Sequence, residues 1–230
     1  MSATFVLIPG AGGESWYWHL VAPRLRERGH EVVSPDLPAG DDDAGLAEYA
    51  HAVVDAVGDR GDLTVVAQSM GAFVAPLLCD RLDVRMLILV APMIPAPGES
   101  PGEWWESSGQ LPAMREQDER EGRDPDAPFD WRVAFMHDVA AEIVEEVASR
   151  GEPRQADKPF GEPWPLGGWP DVPTKVIAGR NDRLFPLEFM RRLARERLGV
   201  EPDEIDSGHL PALARPDELA ELLDALARPA

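Results

Sequence analysis

Short apolar runs rich in β-branched residues recur along the chain and predict buried strands. They cover Thr4–Ile8, Glu31–Val33, Leu63–Ala67, Met86–Val90 and Lys175–Ala178, with a weaker sixth run at Val200–Ile205. Runs that are apolar at nearly every position are typical of parallel strands covered on both faces of a sheet. The pattern therefore predicts a sheet of buried parallel strands.

The segments between these runs have apolar residues at helical spacing. They predict helices over Trp16–Arg28, Leu46–Val57, Ala72–Leu82 and Pro216–Ala227. Gly29 and Gly58 follow the first two, and glycine directly after a periodic segment is a common helix stop. Because strands and helices alternate, we expect a doubly wound, mostly parallel α/β sheet.

The alternation stops between Pro92 and Pro170, where prolines and glycines accompany only patchy helical signal. Within it, 129–147 is predicted helical and 150–168 irregular. Residues 1–91 and 171–230 are therefore expected to form the core, with 92–170 inserted between two strands. The insertion carries Trp104, Trp105, Trp131, Trp164 and Trp169. We expect these tryptophans to pack inside the insertion rather than to contact substrate, because large aromatic side chains are usually mostly buried.

The formal net charge is -20, from 42 acidic and 22 basic side chains. A surface this acidic repels a phosphate backbone, so nucleic acid is not an expected partner. The only cysteine, Cys79, leaves no partner for an intramolecular disulfide. No basic leader and no apolar run of membrane-spanning length is visible, which predicts a soluble, cytoplasmic protein with no membrane partner. The sequence carries no signal for an oligomeric state.

The strongest chemical signal is Ala67-Gln68-Ser69-Met70-Gly71, directly after a predicted strand and before a predicted helix. A sharp strand-to-helix turn at a nucleophilic serine crowds the residues two positions away, so both must be small. Ala67 and Gly71 are small, although the usual residue at the first position is glycine. The motif predicts Ser69 as a nucleophile; the alternative is a serine that only caps a helix.

A nucleophilic serine on such a sheet requires an acid and then a histidine after later strands. Asp182 follows the strand Lys175–Ala178, and His209 follows the last, weak strand. We therefore predict His209 as general base and Asp182 as the acid that orients it. Asp182 as a helix cap, or Asp206 as the acid, are the alternatives. The other histidines, at 19, 30, 51 and 137, are expected to be surface or packing residues.

The loop Pro9–Gly13 follows the first strand and has little side-chain bulk. Such a loop can bring a backbone N–H to a substrate oxyanion, together with the N–H of the residue after the nucleophile. Ala11 and Met70 are the predicted donors. A glycine-rich loop can also bind a dinucleotide, but Gly10, Gly12 and Gly13 lack the G-x-G-x-x-G spacing. No cofactor and no metal are expected.

These residues carry a family resemblance over nearly the whole chain. Ser69, Asp182 and His209 in that order, with the Pro9–Gly13 loop, resemble the α/β-hydrolase superfamily. The chain is similar in particular to small esterases related to plant methyl-ester hydrolases and hydroxynitrile lyases, through Leu7–Gly13, Trp16, Trp18, Gly29–Val32 and Asp36–Pro38. The resemblance implies that Ala11 and Met70 form the oxyanion hole and that 92–170 forms a helical lid.

Three departures refine what the resemblance implies. Pro9 stands where many relatives have histidine, which changes the hydrogen bonding of the loop but removes no catalytic group. Leu210 stands where the hydroxynitrile lyases have lysine, so cyanohydrin cleavage is not expected. Ser69 stands where epoxide hydrolases and haloalkane dehalogenases of this fold have aspartate. The expected function is hydrolysis of a small, mostly uncharged ester through an acyl-enzyme, with that small-molecule substrate as the expected partner. A lyase or cyclase, or a non-catalytic binding protein of the same fold, are the alternatives.

Overall fold

The computed structural model describes residues 2–228 and is built around a six-stranded sheet. Every adjacent pair of strands is parallel, in the order β2-β1-β3-β4-β5-β6. The strands are β1 (Thr4–Ile8), β2 (Glu31–Val33), β3 (Leu63–Gln68), β4 (Val84–Val90), β5 (Thr174–Gly179) and β6 (Asp203–Ile205). The predicted strands are confirmed to within two residues at each end, except that β6 begins later than expected.

Helices connect the strands and fill the long segment between β4 and β5. Those of the strand connections are α1 (Val21–Glu27) and α2 (Leu46–Val57). The β4–β5 segment contains α3 (Pro101–Ser107), α4 (Gln110–Arg120), α5 (Trp131–Phe135), α6 (Ala141–Arg150) and α7 (Lys158–Gly161). After β5 come α8 (Leu187–Leu198), α9 (Pro211–Ala214) and α10 (Pro216–Leu226).

Apolar side chains cover both faces of the sheet. On one face, α1 and α10 pack through residues such as Leu25 and Leu223 against Phe5 and Leu7. On the other face, α2 and α8 join a larger cluster with Val6 and Ile8 of the same strand. Consecutive residues of β1 thus point into opposite cores, as the alternation of side chains along a strand requires. The predicted doubly wound, parallel α/β fold is confirmed.

The order of the strands indicates where a ligand site is expected in this sheet. From β1 the chain moves outward to β2, and then crosses back to β3 on the other side of β1. The connections that leave β1 and β3 therefore diverge to opposite faces of the sheet. In open α/β sheets, ligands bind at the carboxyl ends of the strands where the order reverses in this way. The loop after β1 and the turn after β3 flank this point.

Three of the predicted helices are wrong in part, and a proline accounts for two of the differences. The third, predicted over 129–147, is divided into α5 and α6 by the non-helical residues 136–140. In place of one helix over Ala72–Leu82, the structure has two 3-10 turns, Ser69–Phe73 and Ala75–Leu78. Pro76 has no N–H to donate to a carbonyl one turn earlier, so an α-helix cannot continue through it. The expected helix over Trp16–Arg28 is a 3-10 turn followed by α1, whose first turn contains Pro23, where the missing N–H costs nothing.

The β4–β5 segment shares its core with the sheet. Trp104 and Trp164 are fully buried and belong to the same apolar cluster as the strand residues. The Trp104 ring packs against Phe185 and Phe189, and its indole N–H donates to the carbonyl of Ile94 at 2.9 Å. The sequence analysis expected these tryptophans to pack inside the insertion. Instead, Trp104 and Trp164 pack in the core that the insertion shares with the sheet. They attach its two ends to the α8 face of the sheet.

Other parts of the β4–β5 segment are more exposed. Few residues of α4, α5 and α6 are buried, and Phe129, Trp131 and Val133 are exposed. Among residues 2–228, no helix is both long and apolar enough to cross a membrane.

Replacing Trp104 tests whether the insertion is part of the main core. We expect Trp104→Ala to lower the free energy of unfolding by about 3–5 kcal/mol, because it leaves a large cavity beside Phe185. Trp131→Ala is the matched control: Trp131 is 37% exposed, and the expected loss is about 1 kcal/mol or less. Denaturant unfolding measures both, and equal losses would contradict a shared core.

Candidate active site

Ser69 lies at the sharp turn that follows β3. Its φ of 49° is in the left-handed region, which is costly for a residue with a Cβ. The surrounding structure holds this conformation: the carbonyl of Ser69 accepts a hydrogen bond from the N–H of Met93, 3.0 Å away. A Cβ placed on Gly71 would lie 2.7 Å from the carbonyl oxygen of Pro9. The turn therefore requires glycine at 71 and holds Ser69 at the carboxyl edge of the sheet.

Asp182 lies in the loop between β5 and α8 and is 1% exposed. One carboxylate oxygen, Oδ1, accepts hydrogen bonds from the backbone N–H groups of Leu184 (2.8 Å) and Phe185 (2.9 Å). The other, Oδ2, lies 2.8 Å from Nδ1 of His209. A buried carboxylate is stable only when its oxygens are paired in this way. The two amides fix Asp182 so that Oδ2 faces the histidine.

His209 lies in the loop after β6, between Asp182 and Ser69, and is 2% exposed. An ionised carboxylate can only accept a hydrogen bond, so the contact with Asp182 assigns the ring proton of His209 to Nδ1. Nε2 is then free to accept a bond from the Ser69 hydroxyl, whose Oγ is 3.3 Å away. Phe185 packs edge-on against the imidazole at 4.7 Å, and Phe135 lies 5.3 Å from it. The structure thus brings the three predicted residues together in one hydrogen-bonded chain.

Asp206, the alternative acid, lies on the outer side of the same loop. It is exposed, and its carboxylate accepts a hydrogen bond from the side-chain amide of Asn181 at 2.8 Å. Among the other histidines, His30 bonds to Asp224 at the far edge, and His19 stacks on Trp16. The geometry favours Asp182 as the partner of His209.

The two predicted oxyanion donors lie on elements adjacent to Ser69. A Cβ on Gly10 would lie 3.2 Å from the Cβ of Ser69, so the loop after β1 passes directly beside the serine. Ala11, the next residue, is exposed. Met70 is the second residue of its 3-10 turn, and the first amides of a helical turn have no partner within it. The role of Ala11 and Met70 as oxyanion donors stays a prediction.

Several residues near this site were not predicted from the sequence. Gln155 accepts a hydrogen bond from the N–H of Gly12 at 2.8 Å and so fastens the loop after β1. The hydroxyl of Tyr17 accepts one from the N–H of Ala212, just after His209. Burial raises the pKa of Tyr17 well above its usual range, and nearby Asp182 adds to the effect, so the phenol stays neutral. Asp138 contacts the histidine loop from the β4–β5 segment.

None of these residues lies in a local motif. Gln155 is 143 residues from Gly12, and Asp138 is 70 residues from Gly208. Contacts over such separations depend on the packing of the β4–β5 segment, for which the sequence pattern is weak. Within the described part of the chain, no group of three or more histidine, cysteine or acidic side chains could hold a metal ion.

A model of the alpha/beta hydrolase family matches residues 5–222 of the chain. The protein therefore belongs to the alpha/beta hydrolase family. A search of curated proteins gives no match.

Solved structures with the same fold cover almost the whole chain. A pyrethroid hydrolase from Sphingobium faniae JZ-2 is 21% identical with a TM-score of 0.72, over 99% of this chain and 98% of its own. An extracellular alpha/beta-hydrolase from a Paenibacillus species is 20% identical with a TM-score of 0.78, over 99% and 100%. The methylesterase MES16 from Arabidopsis is 20% identical with a TM-score of 0.74, over 98% and 99%. At these identities the likeness shows the fold alone.

Replacing Gly71 tests the steric account of the serine turn. We expect Gly71→Ala to destabilise the protein by about 1–3 kcal/mol, because the new methyl group would collide with the backbone of Pro9. Gly161→Ala is the matched control, since a Cβ there meets nothing within 4 Å. Thermal and denaturant unfolding measure the difference. Equal stability of the two variants would contradict the steric account.

Proposed function

We propose that the protein is a serine esterase that hydrolyses small, mostly uncharged carboxylic esters through an acyl-enzyme. One observation carries the proposal: the hydrogen-bonded chain from Asp182 through His209 to Ser69. Its distances, 2.8 Å and 3.3 Å, are those expected between an orienting acid, a base and a nucleophile before substrate binds.

In the first half of the proposed reaction, the Ser69 Oγ attacks the carbonyl carbon of the ester while its proton passes to Nε2 of His209. Asp182 stabilises the imidazolium that forms. The tetrahedral intermediate then collapses: the bond to the alcohol oxygen breaks, and His209 gives its proton to the departing alcohol. The acyl group remains on Ser69.

In the second half, His209 removes a proton from a water molecule, which attacks the acyl carbon. The bond to Ser69 breaks, the serine regains its proton from His209, and a carboxylic acid leaves. In both halves the N–H groups of Ala11 and Met70 are proposed to stabilise the oxyanion. Fixed donors of this kind are worth about 10²–10³-fold each in kcat.

Apolar contacts support an uncharged substrate. Phe135 and the fully buried Phe185 lie against the His209 ring, so the proposed base is bordered by aromatic side chains. Sites bordered in this way favour ligands held by apolar contact. The net charge of -20 disfavours the approach of polyanionic substrates. One of the relatives is named as a methylesterase, which agrees with this substrate class.

We further propose that residues 92–170 form a lid over the carboxyl edge of the sheet, with 1–91 and 171–230 as the core. Support comes from Phe135 of α5, whose ring lies 5.3 Å from that of His209. Arg183, beside Asp182, also reaches the carbonyl of Val133 in α5 at 3.4 Å. The middle of the segment is thus placed beside the proposed catalytic groups.

Ser69→Ala tests the proposed function on a panel of neutral nitrophenyl and aliphatic esters. We expect kcat to fall by about 10⁴-fold or more with little loss of stability, because only the attacking oxygen is removed. The control is Ser149→Ala, which removes an exposed serine of α6 that bonds only to a backbone carbonyl. Ester turnover that survives Ser69→Ala, or a parent protein inactive on every ester, would contradict the proposal.

A pair of aspartate variants tests the assignment of the acid. We expect Asp182→Asn to lower kcat by about 10⁴-fold, because the amide no longer stabilises the required tautomer and imidazolium of His209. Asp206→Asn keeps an oxygen beside Asn181 and is expected to stay within about threefold of the parent, as surface changes usually do. Steady-state kinetics on one ester measures both. A larger loss in Asp206→Asn would reassign the acid.

A further inference from the structure

Asp138 lies just before α6, with its carboxylate against the loop that carries His209. Its Oδ2 accepts a hydrogen bond from the N–H of Gly208 at 2.7 Å and a longer one from the hydroxyl of Ser207 at 3.3 Å. The two donors are the residues immediately before His209. A single carboxylate oxygen of the β4–β5 segment therefore binds the backbone that leads into the proposed base.

The fit between this carboxylate and the loop is close. A Cβ on Gly208 would lie 2.6 Å from Cε1 of His137 and 2.8 Å from Oδ1 of Asp138, so only glycine permits the contact. On the other side of the loop, a Cβ on Gly179 would collide with the carbonyl oxygens of Ser207 and Gly208. The loop is thus enclosed between the end of β5 and Asp138.

Two arginine side chains fasten the segment that contains Asp138 to the core. Arg215, which follows α9, donates to the carbonyl oxygen of Asp138 at 3.4 Å. Arg183 donates to the carbonyl of Val133 at the same distance. These bonds tie the two flanks of Phe135 to the loop that carries Asp182 and to the end of α9, the helix that follows the His209 loop. Asp138 therefore approaches the histidine loop from a supported position.

We propose that Asp138 is a positioning residue, whose carboxylate holds the Ser207–Gly208 backbone so that His209 stays aligned between Asp182 and Ser69. The inference rests on the proposed esterase function. Hydrogen bonds to an ionised acceptor are about twice as strong as neutral ones, which suits a carboxylate to this role. Misplacement of a reacting group by about 1 Å can cost on the order of 10²-fold in rate.

The test compares Asp138→Ala with Asp138→Asn in ester hydrolysis. Asp138→Ala removes the acceptor, so kcat should fall by about tenfold to a hundredfold. KM should stay within about twofold, because no contact to the ester is removed. In Asp138→Asn the amide oxygen can still accept from Gly208, so about a third or more of kcat should remain. The asparagine NH₂ would replace Oδ1, which has no hydrogen-bond partner among residues 2–228.

The matched control is Asp126→Ala, an exposed aspartate of the same segment whose carboxylate pairs with Arg115. It should leave kcat and KM at the parent values. Amide hydrogen exchange provides a readout that needs no substrate: the N–H of Gly208 should exchange faster in Asp138→Ala than in the parent or in Asp138→Asn. Unfolding temperatures check that the three variants are folded under assay conditions.

The outcomes separate this inference from the proposed function. If the parent hydrolyses esters through Ser69 but Asp138→Ala keeps its kcat, the positioning role is overturned and the esterase proposal stands. A rise in KM at unchanged kcat, or equal losses in the alanine and asparagine variants, also overturns it. Absence of Ser69-dependent hydrolysis in the parent contradicts the esterase function itself, and the positioning role falls with it.

Discussion

The hydrogen bond between Asp182 and His209 is the interaction on which the site depends. Both side chains are almost completely buried, and a buried polar group is costly unless it is paired. The backbone N–H groups of Leu184 and Phe185 satisfy the other carboxylate oxygen, which leaves Asp182 one orientation. That orientation fixes the ring of His209 and directs Nε2 toward Ser69. The aromatic side chains around the imidazole exclude water from the bond and so strengthen it.

The parallel sheet makes this bond available to a serine on a different strand. Because all six strands are parallel, the loops after β1, β3, β5 and β6 emerge at one edge. The strand order reverses between β1 and β3, which is where ligands usually bind in such sheets, and Ser69 lies there in a strained conformation. Residues more than a hundred positions apart in sequence thus meet at one place. The β4–β5 segment then adds Phe135 and Asp138 from the remaining side.

The sequence predicts those parts of the molecule that depend on local rules. The strands follow from unbroken apolar runs, and the place of Ser69, Asp182 and His209 follows from the ends of those strands. The prediction of one helix over Ala72–Leu82 was wrong because it followed the apolar spacing and did not take account of Pro76, which interrupts the helix. The burial of Trp104 in the main core and the contact of Asp138 with Gly208 could not be predicted, since both depend on how a weakly patterned segment packs on the sheet.

The most direct test of the central claim is to locate the covalent adduct formed with a fluorophosphonate, which phosphonylates an activated serine. After digestion, mass spectrometry should place the adduct on the peptide containing Ser69 and on that residue. Labelling should be lost when the protein is denatured first, because activation requires the folded Asp182–His209 pair. An adduct on another residue, or no adduct on the folded protein, would contradict the account.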